Sequence, residues 1–390
     1  MKFTRREFLK YCSVAAGALG LTATDLAKLE NAFAAEGGLK VVWLNGQACT
    51  GCTVSLANSM YYTTIQELLL KTPASQTLDI NFIETLSTSS GQSAIDEAKS
   101  VVGKAKSLAN AFAVVVEGAI PLGTPPNDPT KPANNPGEYC TLWVDNGTEE
   151  TMWDMVREFI LDRNCAYVFG IGTCACYGGI PGAEPNPTHA CGLWQIKYYD
   201  KYFKGTFSST GDPWYPDSLL FWDLLDSTTQ SEIRILSSRL RSLPREKYHG
   251  VIMIPGCPPN PNWIVGTIAY IIINNMNTPS LEALGRPVMY FRERICNSCD
   301  RFNNSVSGQF IINRDPDQIG DPNKNRPNGY CLKYIGCKGS RTKSDCSMRK
   351  WHSPGDGQIG VNWCVGAGAP CQGCTQDAFP DRMSAFFAIR

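Results

Sequence analysis

The sequence predicts an α/β fold with a parallel sheet, followed by an irregular domain rich in cysteine. Apolar runs of four to six residues, rich in Val and Ile, recur through residues 36–285, and helical patterns separate them. Such runs are typical of strands that are buried on both faces of a parallel sheet. From residue 286 the periodicity fades, and Gly, Pro, Asn and Cys dominate. The alternation predicts a flavodoxin-like domain over residues 36–285 and a second domain over 286–390.

The first domain is expected to alternate strands and helices. Strands are predicted at residues 39–44, 78–84, 112–117, 166–172 and 251–254, and helices at 53–71, 92–110, 149–163 and 262–275. Residues 198–245 lack this regularity and read as an irregular insertion. That stretch contains the aromatic residues Trp214, Tyr215, Phe221 and Trp222.

The first 35 residues have the pattern of an export signal. Thr4-Arg-Arg-Glu-Phe-Leu-Lys10 precedes a mildly apolar stretch, and the small-residue site Ala32-Phe-Ala-Ala35 follows. This pattern is typical of a twin-arginine signal peptide, which is removed after export of the folded protein. It predicts a location in the periplasm or on the outer face of the cytoplasmic membrane. No later stretch has eighteen consecutive apolar residues, so we expect no transmembrane anchor in the chain itself.

Composition narrows the possible functions. The 390 residues carry no net charge, and no basic stretch follows the N-terminus, which argues against a nucleic-acid partner. Seventeen cysteines, many in Cys-x-x-Cys pairs beside Gly and Pro, favour metal clusters over disulfides in a chain of this length. With three histidines, a His-rich zinc or haem protein is not expected.

Four cysteines follow predicted strands. Cys49 and Cys52 follow the first strand, Cys174 the fourth and Cys257 the fifth, and Glu117 ends the third. The carboxyl ends of parallel strands share one edge of the sheet, where ligands bind. Four thiolates at one point would hold a [4Fe–4S] cluster. The alternatives are separate structural thiols or a redox dithiol at Cys49-x-x-Cys52.

The second domain also holds enough thiols for metal sites. Its eight cysteines are Cys296, Cys299, Cys331, Cys337, Cys346, Cys364, Cys371 and Cys374. A segment so poor in apolar residues is expected to draw folding energy from metal. Eight ligands make two four-cysteine sites, but spacing alone allows several pairings and fits zinc equally well.

Longer motifs surround these cysteines. They are Trp43-Leu-Asn-Gly-Gln-Ala-Cys49-Thr-Gly-Cys52, Val115-Val-Glu-Gly-Ala-Ile-Pro121, Gly172-Thr-Cys174, Gly178-Gly-Ile-Pro-Gly182, Pro255-Gly-Cys257-Pro-Pro-Asn-Pro261, Arg286-Pro287 and Pro370-Cys371-Gln-Gly-Cys374. With the twin-arginine signal, they resemble the small subunit of a periplasmic nickel–iron hydrogenase over essentially the full length. The resemblance implies an electron-relay subunit in a heterodimer, with the Ni–Fe catalytic centre in a separate large subunit and no catalytic residue in this chain.

The resemblance also implies three clusters in a line. The proximal set is Cys49, Cys52, Cys174 and Cys257; the medial set is Cys346, Cys364, Cys371 and Cys374; the distal set is Cys296, Cys299, Cys331 and Cys337. Cys296 stands where the family usually has a histidine, and Cys364 where it often has a proline beside a [3Fe–4S] cluster. Three [4Fe–4S] clusters are therefore expected, with a medial [3Fe–4S] cluster left open.

These departures suggest a relay of low potential. Thiolate in place of neutral imidazole adds negative charge beside the distal cluster and should lower its reduction potential. A cytochrome or other redox acceptor is expected near that cluster. Cys140, Cys165, Cys176 and Cys191 read as ordinary thiols. The rival readings are an iron–sulfur electron-transfer subunit of another exported redox complex and an exported, zinc-stabilised binding protein.

Overall fold

The structure is a computed structural model, and it describes most of the chain after the predicted signal. The described residues are 39–59, 78–85, 87–107, 110–123, 137–203, 222–243, 250–274, 276–302, 306–310, 329–352 and 360–380. The predicted signal peptide lies outside them, as do Trp214, Tyr215 and Phe221.

A five-stranded parallel sheet forms the centre of the first domain. The described strands are β1 Leu39–Asn45, β2 Leu78–Ile83, β3 Phe112–Glu117, β4 Ile120–Pro121, β5 Thr141–Asp145, β6 Thr148–Thr151, β7 Cys165–Ile171, β8 Ala190–Cys191 and β9 Gly250–Ile254. The large sheet has the order β2-β1-β3-β7-β9, with every neighbouring pair parallel. This is the flavodoxin-like order, in which the direction of strand addition reverses between β1 and β3. The predicted fold class is confirmed.

Helices cover both faces of this sheet. The described α-helices are α1 Gly51–Ala57, α2 Gln92–Lys99, α3 Met152–Leu161, α4 Thr173–Tyr177, α5 Leu193–Lys197, α6 Tyr199–Tyr202, α7 Ser227–Ser242, α8 Pro261–Ile273, α9 Val288–Phe291 and α10 Cys346–Arg349. Alternate strand residues enter two cores: Val42 and Leu44 pack with residues of α2, α3 and α7. Val41 and Trp43 face the other side, with residues of α1, α8 and α9. Both faces are buried, which explains the continuous apolar runs.

Part of the predicted insertion is regular. Residues 227–242 form the sixteen-residue helix α7 rather than irregular chain. Asp226 caps it by accepting hydrogen bonds from the backbone N–H groups of Thr228 and Thr229. Its apolar residues Ile233, Leu236 and Leu240 recur at helical spacing and are buried in the core. The prediction for this stretch was wrong because the aromatic, polar segment before it obscured that period.

Two other helix predictions were too long. Residues 92–110 were predicted helical, but α2 ends at Lys99, and Gly103 then turns the chain with a φ of 72°. Residues 149–163 were also predicted helical, but β6 occupies the start of that range, and α3 begins only after Thr151. β5 and β6 form a hairpin over Asn146-Gly147, both at positive φ, which is the signature of a tight two-residue turn.

The second domain has little regular structure. A small core gathers Ile295, Leu332, Ile335, Trp363, Val365 and Cys371. α9 lies just after the predicted boundary at 285/286, but it packs against the sheet of the first domain; the boundary itself stays a prediction. None of the helices in the described ranges is both long and apolar enough to cross a membrane.

Candidate iron–sulfur sites

The four cysteines of the proximal set meet at the carboxyl edge of the sheet. Cys49 and Cys52 lie in the turn from β1 into α1, Cys174 lies in α4 directly after β7, and Cys257 follows β9. Electrostatic interactions connect the thiol of Cys52 with Cys174 and Cys49, and that of Cys174 with Cys257. Cys49 and Cys257 are exposed, whereas Cys52 and Cys174 lie deeper. The topology thus brings together residues more than 200 positions apart.

Two glycines leave room for this set. An added Cβ at Gly172 would lie 2.4 Å from the Sγ of Cys52, and one at Gly179 would lie 2.7 Å from the Sγ of Cys174. Both glycines have positive φ angles, of 87° and 54°, a region that other residues rarely adopt. Burial raises the pKa of Cys174 to about 12. A bound metal would therefore have to displace its proton.

Glu117 fixes the position of the cysteine turn. Its carboxylate, 1% exposed, accepts hydrogen bonds from the backbone N–H groups of Cys52 (3.1 Å) and Thr53 (3.2 Å). It also accepts from the Thr53 hydroxyl and from Nε1 of Trp43 at 3.0 Å. Four donors stabilise a buried carboxylate and anchor the first turn of α1. Burial and then this negative charge raise the pKa of Cys52 far above its usual range.

The distal set comes together in the second domain. Cys296 and Cys299 lie at a short 3₁₀ turn, Ile295–Ser298, while Cys331 and Cys337 flank another, Lys333–Ile335. The thiol of Cys296 interacts electrostatically with the other three. Burial raises the pKa of Cys296 to about 12 and that of Cys299 to about 11. Cys296 therefore lies close to the other three cysteines of this set.

In the medial set, Cys371 is buried, Cys346 and Cys374 are half-buried, and Cys364 is exposed. The thiol of Cys346 interacts electrostatically with Cys374 and Cys371, and that of Cys374 with Cys364. Burial raises the pKa of Cys374 to about 12. The hydroxyl of Ser344 donates a hydrogen bond to the Sγ of Cys346 at 3.0 Å.

Close contacts connect the medial set with each of the other two sets. The backbone N–H of Cys371, in the medial set, donates to the Sγ of Cys337, in the distal set, at 3.3 Å. The thiol of Cys374, in the medial set, interacts electrostatically with Cys257, in the proximal set. The Thr173 hydroxyl also donates to the carbonyl oxygen of Cys374. The order is therefore proximal, medial, distal, with two cysteines in contact at each junction.

The donor sets fit iron–sulfur clusters. Each set has four thiols. Next to the thiol of Cys364, Nε1 of Trp363 is buried without a hydrogen-bond partner among the described residues. Within those residues, no three His, Cys, Asp or Glu side chains form a group that could hold a single metal ion. The thiolates of a four-iron cluster bind separate iron atoms, so this finding bears on mononuclear sites alone.

Four other cysteines among the described residues belong to none of the three predicted sets. Cys165, Cys176 and Cys191 are buried in the core, and Cys140 is half-buried beside it. Cys176 donates a hydrogen bond to the carbonyl oxygen of Gly170 at 3.1 Å. Their interpretation as ordinary thiols stays a prediction. Sequence reasoning missed the Ser344 hydrogen bond to Cys346 and the contacts between the sets, which join residues such as Cys337 and Cys371 that are 34 positions apart.

An α/β chain with rows of cysteine ligands belongs to the class of iron–sulfur electron-transfer proteins. A family model described as "NADH ubiquinone oxidoreductase, 20 Kd subunit" matches residues 49–271, and one that describes the C-terminal region of the NiFe/NiFeSe hydrogenase small subunit matches residues 291–387. The chain is 29% identical to the periplasmic [NiFeSe] hydrogenase small subunit of Desulfomicrobium baculatum over 99% of each chain. It is 27% identical to the periplasmic [NiFe] hydrogenase small subunit 1 of Nitratidesulfovibrio vulgaris, over 98% of this chain and 93% of that one.

Solved structures agree with these relatives. The recombinant [NiFeSe] hydrogenase from Desulfovibrio vulgaris Hildenborough matches with a TM-score of 0.60 and 29% identity, over 90% of this chain and 97% of that one. The reduced, active Ni-Fe-Se hydrogenase from Desulfomicrobium baculatum matches with a TM-score of 0.62 and 25% identity, over 90% and 100%. The chain belongs to the nickel–iron hydrogenase small subunits, whose catalytic site lies in the large subunit. Neither rival reading is favoured.

Proposed function

We propose that this chain relays electrons between the Ni–Fe centre of a large subunit and an external acceptor, through three [4Fe–4S] clusters. One observation carries the proposal: the medial set contacts both other sets, through the Cys371 N–H that donates to the Sγ of Cys337 and through the electrostatic interaction of Cys374 with Cys257. Iron–sulfur clusters, when bound, supply one-electron redox chemistry. The chain's own task is to hold the ligands in sequence and to bury them away from water.

Each set has a proposed ligand role. Cys49, Cys52, Cys174 and Cys257 hold the proximal cluster, Cys346, Cys364, Cys371 and Cys374 the medial cluster, and Cys296, Cys299, Cys331 and Cys337 the distal cluster. The fourth thiol of the medial set, Cys364, favours a [4Fe–4S] cluster there over [3Fe–4S]. The electrostatic contacts within each set support this pairing.

The large subunit is proposed to cover the proximal edge. Cys49 and Cys257 are exposed there, and the apolar side chains of Val54 and Ile180 are 55% and 51% exposed. Val54 lies in α1 beside Cys52, and the backbone of Ile180 hydrogen-bonds to Cys174. Exposed apolar groups around a cluster site are typical of a surface that a partner buries.

The electron acceptor is proposed to bind at the distal end, close to Cys296 and Cys299. A cytochrome or another redox protein fits this position.

The relatives named periplasmic and the Arg5-Arg6 motif support export of the folded chain by the twin-arginine route. Replacing both arginines by lysine should leave the protein in the cytoplasmic fraction, unprocessed; normal export of that variant would contradict the proposal.

The first experiment tests the relay as a whole. The native complex is purified through a tag on the C-terminus of this chain, and hydrogen-dependent viologen reduction, iron content and electron paramagnetic resonance (EPR) spectra are measured. We expect a co-purifying large chain, activity, and iron for three clusters. A brown, intact complex with no activity after reductive activation would overturn the hydrogenase assignment and point to another redox complex.

A second experiment tests the low-potential relay. Cys296→His replaces a thiolate with a neutral imidazole, so the reduction potential of the distal cluster should rise. Cys140→Ser, at a thiol outside the three sets, is the matched control and should leave all potentials unchanged. If a redox titration of the wild type places the reduction potentials of the medial and distal clusters well above that of the hydrogen couple, the low-potential proposal is contradicted.

A further inference from the structure

A buried arginine lies between the medial and distal sets. Arg301 is 3% exposed. Its Nε donates to the carbonyl oxygen of Val365 at 3.1 Å, and Nη1 donates to that of Tyr330 at 2.9 Å. Val365 directly follows the medial ligand Cys364, and Tyr330 directly precedes the distal ligand Cys331. A single guanidinium group thus connects the backbone next to the medial site with the backbone next to the distal site.

The guanidinium of Arg301 lies close to thiols of the distal set. Its guanidinium interacts electrostatically with Cys299, Cys331 and Cys337, and also with Asp300. The Asp300 side chain, however, is 46% exposed and lies 3.9 Å from the Nζ of Lys350, so solvent and a second cation screen it. A buried cation is costly unless negative charge lies close to it. Clusters ligated by four thiolates supply that charge.

We propose that Arg301 is the shared internal counter-charge of the medial and distal clusters and raises the reduction potential of both. The inference rests on the proposed relay and names a positioning residue for it. Reduction adds one electron to a cluster, and a fixed positive charge in a medium of low dielectric constant stabilises that added charge. Arg301 therefore offsets part of the negative charge that Cys296 introduces. Because it lies between the two sites, it also lowers the repulsion between electrons held on both.

A structural role would look different. If Arg301 only tied the two carbonyl groups together, any side chain that failed to reach both would disturb the sites, whatever its charge. Arg301→Lys keeps the charge and loses the fork of donors, whereas Arg301→Gln loses the charge and keeps an N–H donor. Arg294→Gln is the matched control, because Arg294 interacts with Cys296 but is exposed to solvent.

The test is a redox titration of the purified complex, followed by EPR. Arg301→Gln should shift the medial and distal potentials downward together, Arg301→Lys should leave both close to wild type, and Arg294→Gln should shift the distal potential much less. Unchanged potentials in Arg301→Gln with intact clusters would overturn the proposal, as would equal shifts in the Gln and Lys variants. A shift of the distal potential alone would overturn the shared role.

The outcome does not depend on the Gln variant assembling. If Arg301→Gln fails to assemble, the Lys variant decides: wild-type potentials support the charge role, and loss of the outer clusters there too overturns it. The relay proposal is judged separately, on activity and cluster content of the wild-type complex. A wild type with activity and three clusters retains that function even if Arg301 proves to be structural.

Discussion

At the scale of single residues, two polar groups that contact the cysteines are equally buried but differ in charge. Glu117 places a full negative charge against Cys52, while Ser344 offers a neutral hydroxyl to Cys346. Hydrogen bonds and net charge around the sulfur ligands set the potential of an iron–sulfur cluster. The effects of the two residues on their clusters are therefore expected to have opposite signs.

Glu117→Gln should raise the reduction potential of the proximal cluster, because it removes a buried negative charge beside Cys52. The amide NH₂ would face backbone donors, so the substitution should also destabilise the turn by about 1.5–3 kcal/mol, the range for hydrogen bonds to charged groups. A redox titration measures the potential. Glu84→Gln removes the same charge from an exposed position and should change the potential little; an equal shift in both variants would contradict the prediction.

Ser344→Ala should lower the reduction potential of the medial cluster. The hydroxyl of Ser344, which is 1% exposed, donates to the Sγ of Cys346, and this bond stabilises the added charge of the reduced state. Ser347→Ala deletes a comparably buried hydroxyl that bonds Ser298 and the carbonyl oxygen of Ile295 instead of a sulfur. EPR titration of the two variants should show a shift in the first alone. Identical potentials would rule out tuning by Ser344.

At the scale of elements, the proximal site depends on how each strand ends. β7 stops at Ile171, and Gly172, with a φ of 87°, turns the chain so that Cys174 enters a short helix. The space beside Gly172 is occupied by the Sγ of Cys52. The end of β7 and the turn after β1 therefore pack closely at Gly172 and Cys52, and a larger side chain at Gly172 would displace the Cys52 thiol.

Gly172→Ala should abolish the proximal cluster while leaving the two outer clusters in place. The added methyl group would lie 2.4 Å from the Sγ of Cys52, and a φ of 87° with a ψ of 153° adds a backbone cost of about 1–3 kcal/mol for any residue other than glycine. Gly91→Ala is the matched control, since Gly91 has a φ of 56° but no atom within 4 Å of an added Cβ. Iron content and EPR of the complex distinguish the two. A normal proximal signal in Gly172→Ala would contradict the prediction.

The sequence predicted the sheet and its edge well because both follow from local rules. Apolar runs predict buried strands, and parallel topology places Cys174 and Cys257 at the same edge as Cys49. The Asn146-Gly147 turn signal and the helical spacing of apolar residues in α7 are both present in the sequence. They were missed because aromatic and polar residues surround them. Arg301 could not be found from sequence, because its carbonyl partners at Tyr330 and Val365 lie 29 and 64 residues away in an irregular domain.

At the scale of the whole molecule, hydrogen bonds connect helix α8 and the residue before it with the backbone around the medial set. Nε1 of Trp263 in α8 donates to Asp345 at 2.7 Å, directly before the medial ligand Cys346. The Asn260 side chain donates to the carbonyl oxygen of Lys350 at 2.8 Å. Arg286, which is buried at the predicted domain boundary, donates to the carbonyl oxygen of Thr375, next to Cys374. The medial site is therefore held from the sheet side as well as by its own domain.

The two domains should differ in their need for iron. The sheet has large cores on both faces, whereas the described part of residues 286–390 has a separate core of six buried residues, one of which is Cys371 of the medial set. A domain with so little buried apolar surface draws its folding energy from bound metal. Removing iron from the complex should therefore unfold residues 286–390 selectively.

Limited trypsin digestion followed by mass spectrometry tests this directly, with the iron-loaded complex as control. Without iron, cleavage should increase at Lys338, which is 6% exposed in the folded chain, and at the neighbouring Arg341. Arg239 should stay protected, because its guanidinium donates to the carbonyl oxygens of Ile160 and Cys165 and holds α7 against the sheet domain. Equal protection of Lys338 with and without iron would show that the second domain folds on its own, and the clusters would then serve electron transfer alone.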